Sequence, residues 1–443
     1  MSVENNKQWY IDNFTRFESH LNGEKNLFPH AGRRNALEKL AVTGFPTLKE
    51  EEWKYTNVAP IIKNGFYPAY AINENNINKK ELEKNFFCGL ECHRLVFING
   101  LYSKELSKVN ILPKGAVVAS LRDAIKTNPE LVKKYITLPE KANAFTLLNN
   151  AYNLDGLFVY LPKGCIVETP VQVLFINGNG EENVLSSPRN IIAAEENSSV
   201  NLVFSYLGAG SKSYFTNVLT DVHLGENASV SVYKIQNEND NSYHIEKADV
   251  IQGASSRFNH YSVSFGGSIV RNDINSSLEG ENGECHYYGL YLANGNRHID
   301  NHTFVDHASP NCLSNELYKG ILDDEARGVF NGKIMVRPHA QKTNAYQSNK
   351  TILLSEKAKI DTKPQLEIFA DDVKCSHGAT VGRLDETAYF YIRSRGVPAE
   401  MAKSMLIRAF ANDVIESVKI PELKEQLNHM IFSHLNRVEI TNQ

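Results

Sequence analysis

The run VNLVFSYL (200–207) and its later counterparts ASVSVYKIQ (228–236), FNHYSVSF (258–265) and ECHYYGLYL (284–292) decide the fold. In each, apolar and polar residues alternate, and Gly, Asn, Asp or Ser bound the run, so each reads as a short strand. The pattern begins near Leu157 and continues for roughly 200 residues with no helical period inside it. Many short strands without crossover helices build a sandwich, a barrel or a β-helix. Asn and Gly recur at the strand ends, where tight corners need them, while Asn-Gly and Asp-Gly hairpin signals are sparse. The reading is therefore a mainly β protein with a central β-helix.

The flanks have a different period. Trp9, Phe14, Phe17 and Leu21 recur at helical intervals, and a second helix is expected over 33–41, ending near Gly44 with Pro46 confirming the break. From Phe66 to about Asn150 the pattern is mixed, with a strand at LVFING (95–100) and a helical stretch near 131–135. After Gly396, Pro398 opens a helix whose apolar stripe is Met401, Met405, Leu406, Ala409, Phe410, Val414 and Val418. Pro421 interrupts it, and a last helix puts Leu427, Ile431 and Leu435 on one face. The expected division is a mainly helical part over 1–150, the β-helix over 151–390 and a helical part over 391–443.

Composition removes several function classes. A net charge of −4 leaves no electrostatic footprint for nucleic acid or an anionic membrane surface. No apolar run approaches the length of a membrane span, and the polar start Met1 to Trp9 lacks the layout of a secretory signal, so the expected location is cytoplasmic. Six dispersed cysteines read as reduced thiols rather than a disulfide framework.

Few residues offer chemistry. GAGSKS (208–213) lacks the spacing of a phosphate-binding loop and reads as turn glycines. Cys88, Cys92 and His93 cluster, but a closed zinc site needs a fourth ligand and a second pair, so packing is the better reading. His298, His302 and His307, spaced by four and five, fall on opposite faces of a strand and make no single three-histidine site. In KCSHG, Cys375 and His377 are two apart, so a strand presents both on one face. Thiolate with imidazole favours a soft or borderline ion such as iron or zinc, and two ligands leave the sphere incomplete. A buried cysteine beside a hydrogen-bonded histidine remains the bland alternative. No nucleophile elbow, HExxH helix or dinucleotide fingerprint occurs.

Three consecutive pieces carry a resemblance: NGKIMVRPHAQKTNAYQSNKTILLS (331–355), KPQLEIFADDVKCSHGATVG (363–382) and AYFYIRSRGVPAEMAKSMLIRAFANDVIE (388–416). GFPTLKEEEWKYTNV (44–58), DGLFVYLPKGCIVETPVQV (155–173) and HIDNHTFVDHASPNCLSNELYKGIL (298–322) agree with them. Together these resemble the SufB/SufD family of iron–sulfur cluster assembly scaffolds. The resemblance implies a right-handed parallel β-helix between helical domains. It also implies a complex with a SufB-like subunit and the SufC ATPase, which brings the nucleotide chemistry, so no nucleotide binds this chain directly.

Within the family the chain resembles the SufD side. SufB-like chains are expected to carry a cysteine shortly before PQLEIF, and EKAKIDTKPQLEIF (356–369) has none. By this resemblance Cys375 and His377 ligate iron or a nascent cluster, transiently and shared with SufB. Pro398, Met401, Met405, Leu406, Ala409 and Phe410 form the SufC-docking surface, and the isolated chain forms a homodimer. The chain is then no enzyme. Two rival readings are a structural partner without metal ligands and a β-helix carbohydrate-active enzyme, the second expected to carry a secretion signal.

Overall fold

A computed structural model describes residues 3–71, 82–83, 85–86, 92–136, 142–178, 182–210 and 212–436. Among the described residues, two sheets of 11 and 10 strands face each other, and from Leu157 onward the chain alternates between them, with Val184–Ser186 and Arg189–Ala194 together in the larger sheet. Each strand pairs in parallel with the strand one coil away in the same sheet. This is a parallel β-helix. The four runs that decided the reading are four successive rungs of one sheet, Ser199–Gly208, Ser229–Asn237, Arg257–Ser264 and Glu284–Ala293.

The corners explain why asparagine punctuates the sequence. Asn197, Asn227, Ser255, Asn282, Asn311 and Lys342 all hold φ between 53° and 62°, one per coil. That region is costly for most L residues and tolerated by asparagine. The amide of each donates to a carbonyl of the following coil, from Asn197 to Glu226 at 2.9 Å through to Lys342 and Asp372 at 2.6 Å. Each strained residue thereby satisfies one backbone donor and fixes the stacking of the next coil.

Alternation sorts side chains between the solenoid's interior and its two outer faces. Val200, Val230, Phe258 and Cys285 form one buried inward column. Charges also enter the interior, each with a partner: Lys234 contacts Glu246 and donates to Asn272 at 2.6 Å, while His244 lies 2.7 Å from Glu238. A buried charge costs too much to persist unpaired.

Helices cover both ends of the sequence as expected. Helix Val3–His20 buries Tyr10, Phe14 and Phe17, with Leu21 beyond it. Tyr10 takes the inner place expected for Trp9, which stays half-buried because the helical face turns one residue further round. Helix Pro29–Thr43 ends on Gly44, whose positive φ of 69° is open to glycine at little cost. Both helices pack around Ala144–Tyr152, whose Asn149 donates to the carbonyls of Pro188 and Asn217 in the β-helix. The mixed stretch holds both strands and helices: His93–Ile98, covering most of LVFING, extends the second sheet beside Ile166–Asn177, and the helical stretch near 131–135 is helix Pro129–Tyr135.

The segment after Gly44 docks on the outer face of strand His298–His307. Trp53 is buried beneath the Arg271 guanidinium, 3.8 Å from its ring, and Arg271 donates to the Glu52 carbonyl at 2.6 Å and to Asp300 at 3.0 Å. The Thr56 hydroxyl donates to Asp300 at 2.5 Å and lies 2.8 Å from His298 Nε2. His302 Nε2 sits 3.0 Å from Asp300 and its Nδ1 3.5 Å from Glu52. The histidine expectation is corrected here. An interval of four is even, so His298 and His302 share the outer face with Asp300, whereas His307 points inward to Ser314 at 2.8 Å. The absence of one three-histidine site stands, since the outer pair serves this clamp.

Helices Ala399–Ser417 and Pro421–Asn436 cover the outer face of the other sheet, over the stacked rings of Tyr233, Tyr261 and Tyr288. The expected stripe divides. Val414 and Val418 are buried with Ile407, Ala411 and Ile415, while Pro398, Met401, Met405 and Ala409 are exposed and Leu406 and Phe410 half-buried. The helix has two apolar edges, and the one containing Ile407 and Ala411 meets the sheet. In the last helix Leu427 and Ile431 are buried and Leu435 partly so.

Candidate metal site and docking face

KCSHG lies in strand Val373–Gly382, the last strand of its sheet, and Lys359–Ile368 is the last of the other. Each pairs in parallel on one side only, with Thr343–Leu353 and with Arg327–Val336. The final coil therefore presents two rows of unpaired backbone donors and acceptors, an edge that soluble proteins normally cover or pair. Its side chains add exposed apolar surface, with Phe369 61% and Val381 49% exposed.

Register fixes the two candidate ligands. Cys375 stands over Ala345 and His377 over Gln347, both inward-facing residues, so the pair projects on the interior side at the mouth of the solenoid. The shared face expected from the spacing is present. Cys375 is half-buried beside an apolar cluster of Ile334, Val336, Ala340, Ala345 and Ala370, and this burial raises its thiol pKa. A metal would lower it again, because the thiolate is the ligating form. His377 is exposed. Among the described residues no group of three or more His, Cys, Asp or Glu side chains could hold a metal ion. The open edge carries one thiol and one imidazole, side chains of types that suit a soft or borderline ion, and two such groups alone would leave a coordination sphere incomplete.

Other sequence candidates fall to structural roles. His93 Nδ1 accepts from the Asn110 amide at 3.2 Å, and the Cys92 thiol lies 3.7 Å from Gln172 Oε1; Cys88 lies outside the described residues. Gly210, with φ of 75°, makes the turn read from GAGSKS.

The exposed edge of helix Ala399–Ser417 continues onto helix Glu386–Ser394, which has no buried residue and leaves Phe390 73% and Tyr391 58% exposed. Met401 and Met405, 58% and 48% exposed, are the exposed apolar side chains of the neighbouring helix, which contacts Glu386–Ser394. Sequence reasoning missed Phe390 and Tyr391. Three adjacent aromatics, Tyr389, Phe390 and Tyr391, in a nine-residue helix with no opposing apolar stripe were the available signal.

Two family profiles match the chain. One, described as the SUF system FeS cluster assembly, SufBD core domain, matches residues 175–410; the other, the SufBD protein N-terminal region, matches residues 4–173. An iron–sulfur cluster assembly SufBD family protein of Synechocystis is 32% identical over 411 residues, covering 90% of this chain and 89% of its own. The iron–sulfur cluster assembly protein SufD of Escherichia coli is 31% identical over 394 residues, covering 88% of this chain and 89% of that protein. SufD of Bacillus subtilis is 29% identical over 325 residues, 72% of this chain and 74% of its own. A β-helix between helical flanks, matched by both profiles and related at this level along most of its length, makes the chain a member of the SufBD family of iron–sulfur cluster assembly proteins.

Proposed function

We propose that this chain is the non-catalytic, SufD-like half of a cytoplasmic SufB–SufC–SufD scaffold. It pairs through the open end of its β-helix with a SufB-like subunit and contributes Cys375 and His377 to iron or a nascent cluster shared across the interface. The observation that carries the proposal is an incomplete pair of soft-metal ligands on an unpaired strand edge. A second chain that extends the sheets satisfies the edge and can complete the ligand set with one contact. A homodimer in isolation follows from the same edge, which accepts a second copy when the partner is absent.

The SufC ATPase docks on the face of Pro398, Met401, Met405, Leu406, Ala409 and Phe410. Nucleotide chemistry stays on SufC, and closure of a SufC pair separates the two solenoid ends, releasing a cargo whose ligands no longer converge. Met405 is the clean probe, because it is exposed, whereas Phe410 also anchors Lys319 through its carbonyl at 2.6 Å. Met405→Glu is expected to abolish co-purification with SufC while leaving the melting temperature unchanged. Retained co-purification would reject that surface.

The reading as a whole is tested by anaerobic iron and sulfide analysis of the chain co-expressed with SufB and SufC. Cys375→Ser is expected to retain part of the cluster, since a serine oxygen occupies the same place with weaker affinity for a soft ion. Wild-type iron and sulfide in that variant would remove Cys375 from the ligand set.

A further inference from the structure

One inward column of the β-helix turns polar as it approaches His377. Tyr287, Glu316, Gln347 and His377 stand one above another in register on successive strands. Glu316 and Gln347 are 1% and 3% exposed. The Thr303 hydroxyl donates to Glu316 Oε2 at 2.6 Å, and Gln347 Nε2 donates to the same oxygen at 3.4 Å. Burial pushes the Glu316 carboxyl up to about 7, against these two donors. Gln347 Oε1 is buried and has no hydrogen-bond partner.

The space for this amide is provided by Gly332, where a Cβ would lie 2.2 Å from Gln347 Nε2 and 2.6 Å from its Cδ. Gly332 is needed for room rather than for its backbone angle. A buried carbonyl left without a donor is destabilising, so its persistence calls for an explanation. The amide is planar and its nitrogen is committed to the Glu316 rung, which leaves the oxygen on the other branch. The next residue of that column is His377. An imidazole that binds a metal through one nitrogen carries N–H on the other, and an acceptor there fixes the ring and strengthens the ligand.

We propose that Gln347, braced by Glu316 and admitted by the gap at Gly332, is the acceptor that orients His377 when the site is loaded. Gln347 is a positioning residue, and the inference rests on His377 being a ligand. It is tested on the chain co-purified with SufB and SufC, loaded anaerobically with Fe(II) and sulfide, by iron affinity and by pulsed EPR of the remote imidazole nitrogen in the reduced cluster. Gln347→Leu is expected to weaken iron binding about tenfold and shift the remote-nitrogen coupling, with the melting temperature unchanged. Gly332→Ala, which crowds the amide without deleting it, is expected to do the same and serves if the first variant misfolds. Wild-type affinity and coupling in both variants, with iron lost in His377→Ala, would overturn the role of Gln347 alone. Iron retained in His377→Ala would overturn the half-site and this inference with it.

Discussion

His377→Ala is expected to leave the solenoid folded and to abolish cluster formation. The side chain is exposed on the last strand, where truncation normally changes stability by about 0.5 kcal/mol or less. On the proposed reading the chemical loss is of another order, because a shared half-site of two ligands would lose one of them. Such a site has no spare ligand, and each ligand lost would cost much of the affinity for the cargo. The expected result is an assembled complex with SufB and SufC that carries neither iron nor sulfide and lacks the charge-transfer absorption of a cluster. A complex with normal iron content would reduce Cys375 and His377 to packing residues and leave a structural partner.

Asp300→Ala is expected to release the amino-terminal segment from the β-helix. Asp300 is 1% exposed and meets Arg271, His302 and Thr56 at once. Its removal leaves the Arg271 charge buried with only part of its compensation, for which broken buried pairs suggest a loss of about 3–5 kcal/mol. The readout is a large fall in melting temperature and new protease cleavage within 44–58; an unchanged melting temperature would show that the clamp carries no stability.

The same contacts set a pH window. Burial would lower the His302 pKa, but the Asp300 carboxylate outweighs it and pushes the value up to about 9. Its contribution is complete below the ordinary histidine value of about 6.5 and is lost as pH rises through about 9. Asp300 is shifted the opposite way: burial opposes ionisation, but His302 and Arg271 hold its pKa well below the usual carboxylate range. Its contribution is present above the unfolded carboxylate value of about 3.9 and is lost as pH falls below that. The clamp is therefore tightest between about pH 3.9 and 6.5, and cleavage within 44–58 should rise as pH climbs from about 6.5 to about 9 in the native chain. In His302→Gln that alkaline step is absent.

The β-helix was legible because its corners leave a chemical trace. Asparagine at four of the six left-handed corners, Asn197, Asn227, Asn282 and Asn311, is not hairpin chemistry, and alternation supplied the strands. The outer helices were legible in position but less so in orientation, since Met401, Met405, Ile407 and Ala411 make two adjacent apolar edges whose partners a helical period does not reveal. The candidate ligands were found because two residues in a strand share a face whatever surrounds them. Gln347, Glu316 and Gly332 were missed for the opposite reason. Their significance depends on which strand stacks beneath Val373–Gly382, and that register is set by the lengths of coils far apart in sequence.

The corner residues also make the molecule a ruler. Each coil adds one strand spacing of about 4.8 Å along the axis, so the distance from the carboxy-terminal helices to the mouth can change only in steps of that size. A single inserted residue inside a strand turns inward side chains outward, whereas a whole added coil preserves every column and moves the mouth by one step. In the proposed scaffold, two chains that meet at their mouths would therefore have to agree in coil number as well as in surface chemistry. A relative with one coil too many would carry matching ligands and hold them one step out of reach.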